Sequence, residues 1–160
     1  MASDNLRKVD LSGLKTGQAL TIILLLLAFV LDSVSRVSLL LVPFVGVAQL
    51  LGALDVPYGP YKLFYQQVLK PSGRVKPNII TDNPEPHRFA MLVGSIFNGV
   101  ATLILLVTPS ISGLAWVLVW IVIVLANLNF WLNFCLGCWM YYQFQRLGVP
   151  GFKYAPISTD

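Results

Sequence analysis

GQALTIILLLLAFVL at residues 17–31, DSVSR at 32–36 and VSLLLVPFVGVAQLLGAL at 37–54 read as two apolar runs separated by a polar break. A helix rising ~1.5 Å per residue needs about 20 residues to cross the hydrocarbon of a bilayer. The first run reaches that length only if it begins at about residue 15, with Lys15 snorkelling to the interface. A single helix through both runs would put Asp32 and Arg36 in mid-membrane, at about 2.5–3.5 kcal/mol per charge. The spacing therefore predicts a hairpin of two spans, 15–31 and 37–54, with the DSVSR turn at the water boundary. Pro43 marks a kink that neighbouring helices can accommodate.

Two further spans are expected at 89–108 and 114–142, separated by PSISG. The last exceeds what a bilayer needs, so it should tilt or emerge into the interface by about two turns. The fold class expected is all-α: one membrane domain, a four-helix bundle of two hairpins joined by the loop 55–88. That loop holds five of the eleven basic residues and six of the ten prolines, which rules out a span. Within it, Tyr61 to Leu69 can form a short interfacial helix, and the rest reads as extended surface loop.

Composition agrees. Over 160 residues, 56% are hydrophobic and 11% charged, against about 25% charged in a soluble domain. The formal net charge of +4 is explained by topology rather than by a nucleic-acid partner. Lys and Arg fall on the N-terminal tail (Arg7, Lys8, Lys15), the central loop (Lys62, Lys70, Arg74, Lys76, Arg88) and the C-terminal tail (Arg146, Lys153), leaving Arg36 alone in the two turns. The positive-inside rule then places both termini and the loop in the cytoplasm. The first apolar run outlasts a signal-peptide core and lacks a small-residue cleavage site, so it is expected to remain as a span.

Helices in lipid associate through small residues and interhelical hydrogen bonds. Gly94 and Asn98 on the third span, with Asn129, Asn133 and Gly137 on the fourth, are the expected packing positions, and an antiparallel arrangement would bring their amides together. A ligand or pathway role for the asparagines stays open. No carboxylate, Lys or His falls in mid-membrane, which argues against a proton-coupled transporter.

The chemistry-bearing feature is FCLGC. Cys135 and Cys138, three apart on a helix, can form a disulfide, share a soft metal or pass a persulfide. Placed near the C-terminal end of a long last helix, in a reducing compartment, they are expected neither to be a permanent disulfide nor to be activated by the helix dipole. Packing of the pair beside Gly137 is the bland alternative. Two cysteines and the single His87 do not complete a tetrahedral zinc site, so no metal and no cofactor is expected. Nor does a general-base role for His87 follow, because no nucleophile or acidic orienter is visible near it.

The stretches VDLSG, PYGPYKLFYQQVLKP, DNPEPHRFAMLVG and NFWLNFCLGCWMYY resemble a family of small bacterial four-span membrane proteins, domain of unknown function 4395, over roughly Val9 to Leu147. The resemblance implies a bacterial inner-membrane location and an association with sulfurtransferase and thioredoxin-like proteins, with Cys135 and Cys138 as the residues to carry thiol or sulfane-sulfur chemistry. A soluble thiol-transfer partner would dock on the basic loop residues Lys62, Lys70, Arg74, Lys76 and Arg88. The alternative is a non-catalytic accessory subunit of a larger respiratory or photosynthetic membrane complex. A small-molecule carrier, built between subunits, is a weaker third.

Overall fold

The computed structural model describes residues 7–36, 38–73 and 75–151. Arg74 and Lys153, counted among the basic residues above, lie outside the described residues. The chain is mostly helical, in the order β1 (Arg7–Asp10), α1 (Leu11–Asp32), α2 (Ser38–Ala53), α3 (Pro60–Phe64, continued by a wider π-helical turn Tyr65–Leu69), β2 (Ile79–Asp82), α4 (Glu85–Val107), α5 (Ser112–Leu132) and α6 (Leu136–Arg146). Three stretches, Leu11–Asp32, Glu85–Val107 and Pro109–Leu132, are long and apolar enough to cross a membrane, and Ser38–Ala53 is a shorter apolar helix.

The helices meet on a buried strip of Leu25, Ala28, Val42, Val45, Ala101, Leu105, Ala115, Val119, Val122 and Ile123. Their outward faces are just as apolar: Ile23, Leu40, Val47, Leu103, Leu106 and Val117 are each more than half exposed. A helix apolar all round belongs in a membrane or a large core, and this chain is too small to supply the core.

Three expectations are corrected. The fold is mostly helical, but the loop 55–88 is not all extended surface loop, because β2 pairs antiparallel with β1, Asp10 opposite Ile79 and Arg7 opposite Asp82. The second half of the loop is therefore tied to the N-terminal tail rather than free on the surface. Asp10 closes that strand and starts α1: its Oδ1 accepts from the Ser12 and Asn78 amides at 3.0 and 3.2 Å, and its Oδ2 accepts from the Tyr65 hydroxyl at 2.7 Å. Such a residue satisfies amides that a helix start would otherwise leave without partners.

The second correction concerns the last span, which does not run unbroken through 114–142. Asn133 adopts a left-handed conformation (φ 52°), and the chain turns before α6 begins. Asparagine tolerates this region better than most residues. The excess length expected to tilt or emerge is thus a separate helix laid against the start of α4, where Phe89 meets the rings of Tyr141 and Phe144 at 5.8 and 6.2 Å.

Third, the amide seam joins α2 to α4 rather than α4 to α5. Asn98, fully buried, donates from Nδ2 to Gln49 Oε1 at 2.9 Å. Gly94 and Gly46 make room for this pair: a Cβ on Gly94 would lie 2.9 Å from Gln49 Oε1, and one on Gly46 would lie 3.3 Å from the Asn98 Cβ. The Gln49 amide answers Asn98 from the facing helix, leaving Asn129 half-buried beside a cavity and Asn133 exposed at the end of α5.

The far turn is organised by Asp32, which accepts from the Ser38 hydroxyl and, at 3.1 Å, from Trp116 Nε1. At the opposite end, Arg88 Nε donates to the Ala53 carbonyl at 2.8 Å. Its cation meets the negative end of α2.

Candidate functional site

Cys135 is extended (φ −92°, ψ 100°) and is the residue immediately before α6; Cys138 sits in the first turn. The turn at Asn133 therefore reverses the expected electrostatics. The pair occupies a helix N-terminus, where free amides and the positive end of the dipole stabilise a thiolate. The Cys138 amide donates to Cys135 Sγ at 3.2 Å. The two sulfurs are bonded to each other as a disulfide.

His87, in the first turn of α4, reaches this pair. Its Nδ1 lies 3.6 Å from Cys138 Sγ, and its Nε2 lies 3.5 Å from Asp82 Oδ2. The carboxylate beside His87 that the sequence did not reveal is thus the last residue of β2, whose backbone pairs with β1. The Asn83 side chain accepts from the Glu85 amide at 3.1 Å, which fixes the start of α4 and so the reach of His87. Burial, and secondarily the Asp82 carboxylate, push the Tyr142 phenol above its ordinary pKa, so it stays neutral beside the cluster.

Gly137, between the two cysteines, is where α6 touches α4. A Cβ there would lie 2.6 Å from the Ala90 Cβ. This close approach brings the start of α6 against the first turns of α4, where His87 lies. A cavity of about 480 Å³ opens beside the pair, with His87, Cys135, Gln18, Gln49, Tyr61 and Asn129 in its wall. That is the size of a small-molecule site.

The basic residues expected to dock a partner divide. Lys62 pairs with Asp55 at 3.5 Å, with both side chains about half exposed, and Lys70 and Lys76 are exposed. Arg88 is engaged with Ala53 and, at 3.3 Å, with Glu85.

Apolar helices of membrane-crossing length, with a cysteine pair, a histidine and a carboxylate gathered at one end, define the class of protein. The chain belongs to the family described as domain of unknown function (DUF4395), whose match covers residues 9–146. No curated protein and no solved structure matches it.

Proposed function

We propose that this is a multi-pass bacterial inner-membrane protein whose Cys135–Cys138 pair exchanges disulfides, or sulfane sulfur, with a soluble thiol protein at the cytoplasmic face. In this reading α1, α2, α4 and α5 form a four-helix bundle of two hairpins. Lys62, Lys70 and Arg88 line the same cavity as Cys135, while Arg36 lies in the turn between α1 and α2, and the positive-inside rule would turn that asymmetry into an orientation.

One observation carries the chemistry: the Asp82–His87–Cys138 chain of contacts meets a cysteine pair at a helix start. In the reduced form Cys135, stabilised by the Cys138 amide and exposed to the cavity, attacks one sulfur of the partner's disulfide. A mixed disulfide forms and the partner's first thiolate leaves. His87 takes the proton of Cys138, with Asp82 holding the imidazole in register. The Cys138 thiolate then attacks Cys135 Sγ and releases the partner's second thiolate. Two electrons pass from the pair to the partner, and the pair returns to the disulfide seen here. Lys62, Lys70 and Lys76 would favour an acidic docking surface.

The test is exchange between the reduced protein in membranes and a soluble dithiol/disulfide protein, with Cys135→Ser and Cys138→Ser separately. Cys138→Ser should trap a mixed disulfide through Cys135. Full exchange in both variants contradicts the proposal.

The accessory-subunit reading is favoured by one feature, the exposed Trp131, Leu132 and Phe134 at the α5–α6 joint. Extraction in mild detergent separates the two. A stable larger complex whose assembly ignores both cysteines supports the subunit role.

A further inference from the structure

We infer that Cys135, Cys138 and His87, when the disulfide is reduced, form a binding site for a thiophilic divalent metal ion, zinc in the first instance. The two sulfurs and a ring nitrogen of His87 all lie within 4.8 Å of one another, on half-buried residues. For metal–sulfur and metal–nitrogen bonds of about 2.3 and 2.05 Å, the sulfur-to-nitrogen edge of a tetrahedron is about 3.6 Å. Cys138 Sγ and His87 Nδ1 are 3.6 Å apart. One edge of the coordination polyhedron is therefore already set.

The second edge needs only the reduced sulfurs to part to about 3.8 Å. Their Cα atoms are 5.1 Å apart in the first turn of α6, so a side-chain rotation suffices. The nitrogen that would face away from the metal lies 3.5 Å from a carboxylate oxygen of Asp82. A carboxylate on that side would orient a metal-bound imidazole. Three protein ligands with one open position is the set used by zinc sites that bind an exchangeable water or substrate. The cavity beside Cys135 and His87 gives that fourth position access.

Counting ligands along the chain argues against this site, because two cysteines and one histidine fall short of four. The fold changes the answer by gathering all three and leaving the fourth place beside an opening. The balance is simple. A dithiol reductant gives two electrons and two protons to the disulfide and is itself oxidised to a disulfide, and the two thiol protons of the pair leave as the ion enters. Oxidation removes both thiolates and expels the ion, so metal and disulfide are mutually exclusive occupants.

The inference shares residues with the disulfide-exchange reading but does not need a partner. The test uses the full chain in detergent, reduced with a phosphine, desalted and titrated with Co(II). The expected result is one Co(II) per chain, with the visible absorption of a tetrahedral ion and a near-ultraviolet thiolate charge-transfer band, both displaced by zinc. The disulfide form, which needs no substitution, should show neither. His87→Ala should weaken binding tenfold or more, and Asp82→Asn by about 10–100-fold, with the number of alkylatable thiols unchanged. Two free thiols with no tetrahedral spectrum, or a His87→Ala variant that binds like the wild type, overturns the site. A pair that exchanges disulfides but binds no Co(II) leaves the exchange reading standing, and binding without exchange does the reverse.

Discussion

His87 stands between a carboxylate and a cysteine sulfur because two short elements start and stop where they do: β2 ends at Asp82 and α4 begins at Glu85. The cysteine pair and the lone histidine are visible in the sequence; the role of the histidine is not. Asp82 is five residues from His87, but its position comes from strand pairing with a segment some seventy residues earlier, which no local pattern announces. The expected outcome for His87→Gln is a roughly hundredfold slower exchange, with both thiols still open to alkylation. Asp82→Asn should fall between that variant and the wild type. Stopped-flow exchange with a dithiol substrate checks both. Equal rates in all three proteins would remove the imidazole from the chemistry.

Among the elements, the break between α5 and α6 decides the most. Hydropathy runs on through residues 114–142, so the apolar pattern alone extends one helix and leaves the cysteines at a C-terminus. A single left-handed Asn133 converts that end into a helix start. Asn133→Gly should leave stability nearly unchanged, whereas Asn133→Val should cost about 1–2 kcal/mol, read as a lowered Tm in detergent. Gly137→Ala drives a methyl into Ala90 and should cost about 1–3 kcal/mol, the usual range for overpacking. It should also slow exchange by drawing Cys138 away from His87. Unchanged Tm and rate for Gly137→Ala would mean that α6 does not seat on α4 through this contact. In the α2–α4 seam, Asn98→Ala should cost about 1 kcal/mol, and the double variant with Gln49→Leu should cost less than the sum of the singles. The polar positions of this seam were legible as packing residues. Their partner was not, because Gln49 is flanked on both sides by apolar residues, Ala48, Leu50 and Leu51 among them.

For the whole molecule, the apolar runs and the charged breaks determine most of the layout. The membrane-length stretches, the short helix after residue 60 and the polar turns follow from hydropathy and proline placement alone. The small sheet did not, since RKVD and IITD are too short to register as strands until they meet. Tyr61 links this peripheral layer to α1, its ring against Gly17 and its hydroxyl accepting from Thr21 Oγ1 at 3.0 Å. Burial raises its pKa from about 10 to about 12, the Thr21 hydrogen bond offsetting part of that rise. Because the folded value lies above the unfolded one, the stabilisation is intact below pH 10 and is lost as pH rises to 12. Alkaline titration of this group should therefore remove about 2–3 kcal/mol, a contribution that Tyr61→Phe abolishes. An unchanged alkaline profile in Tyr61→Phe would assign the loss to other groups.

The claim that joins these scales is that the cysteine pair cycles between dithiol and disulfide at the membrane surface. It is tested most directly by equilibrating native membranes in glutathione buffers of graded ratio and scoring the pair by mass-shift alkylation. A smooth two-electron transition, reached more slowly in His87→Gln, is the expected result. A pair locked as thiols or as disulfide across the whole series, with both cysteines accessible after denaturation, would contradict it.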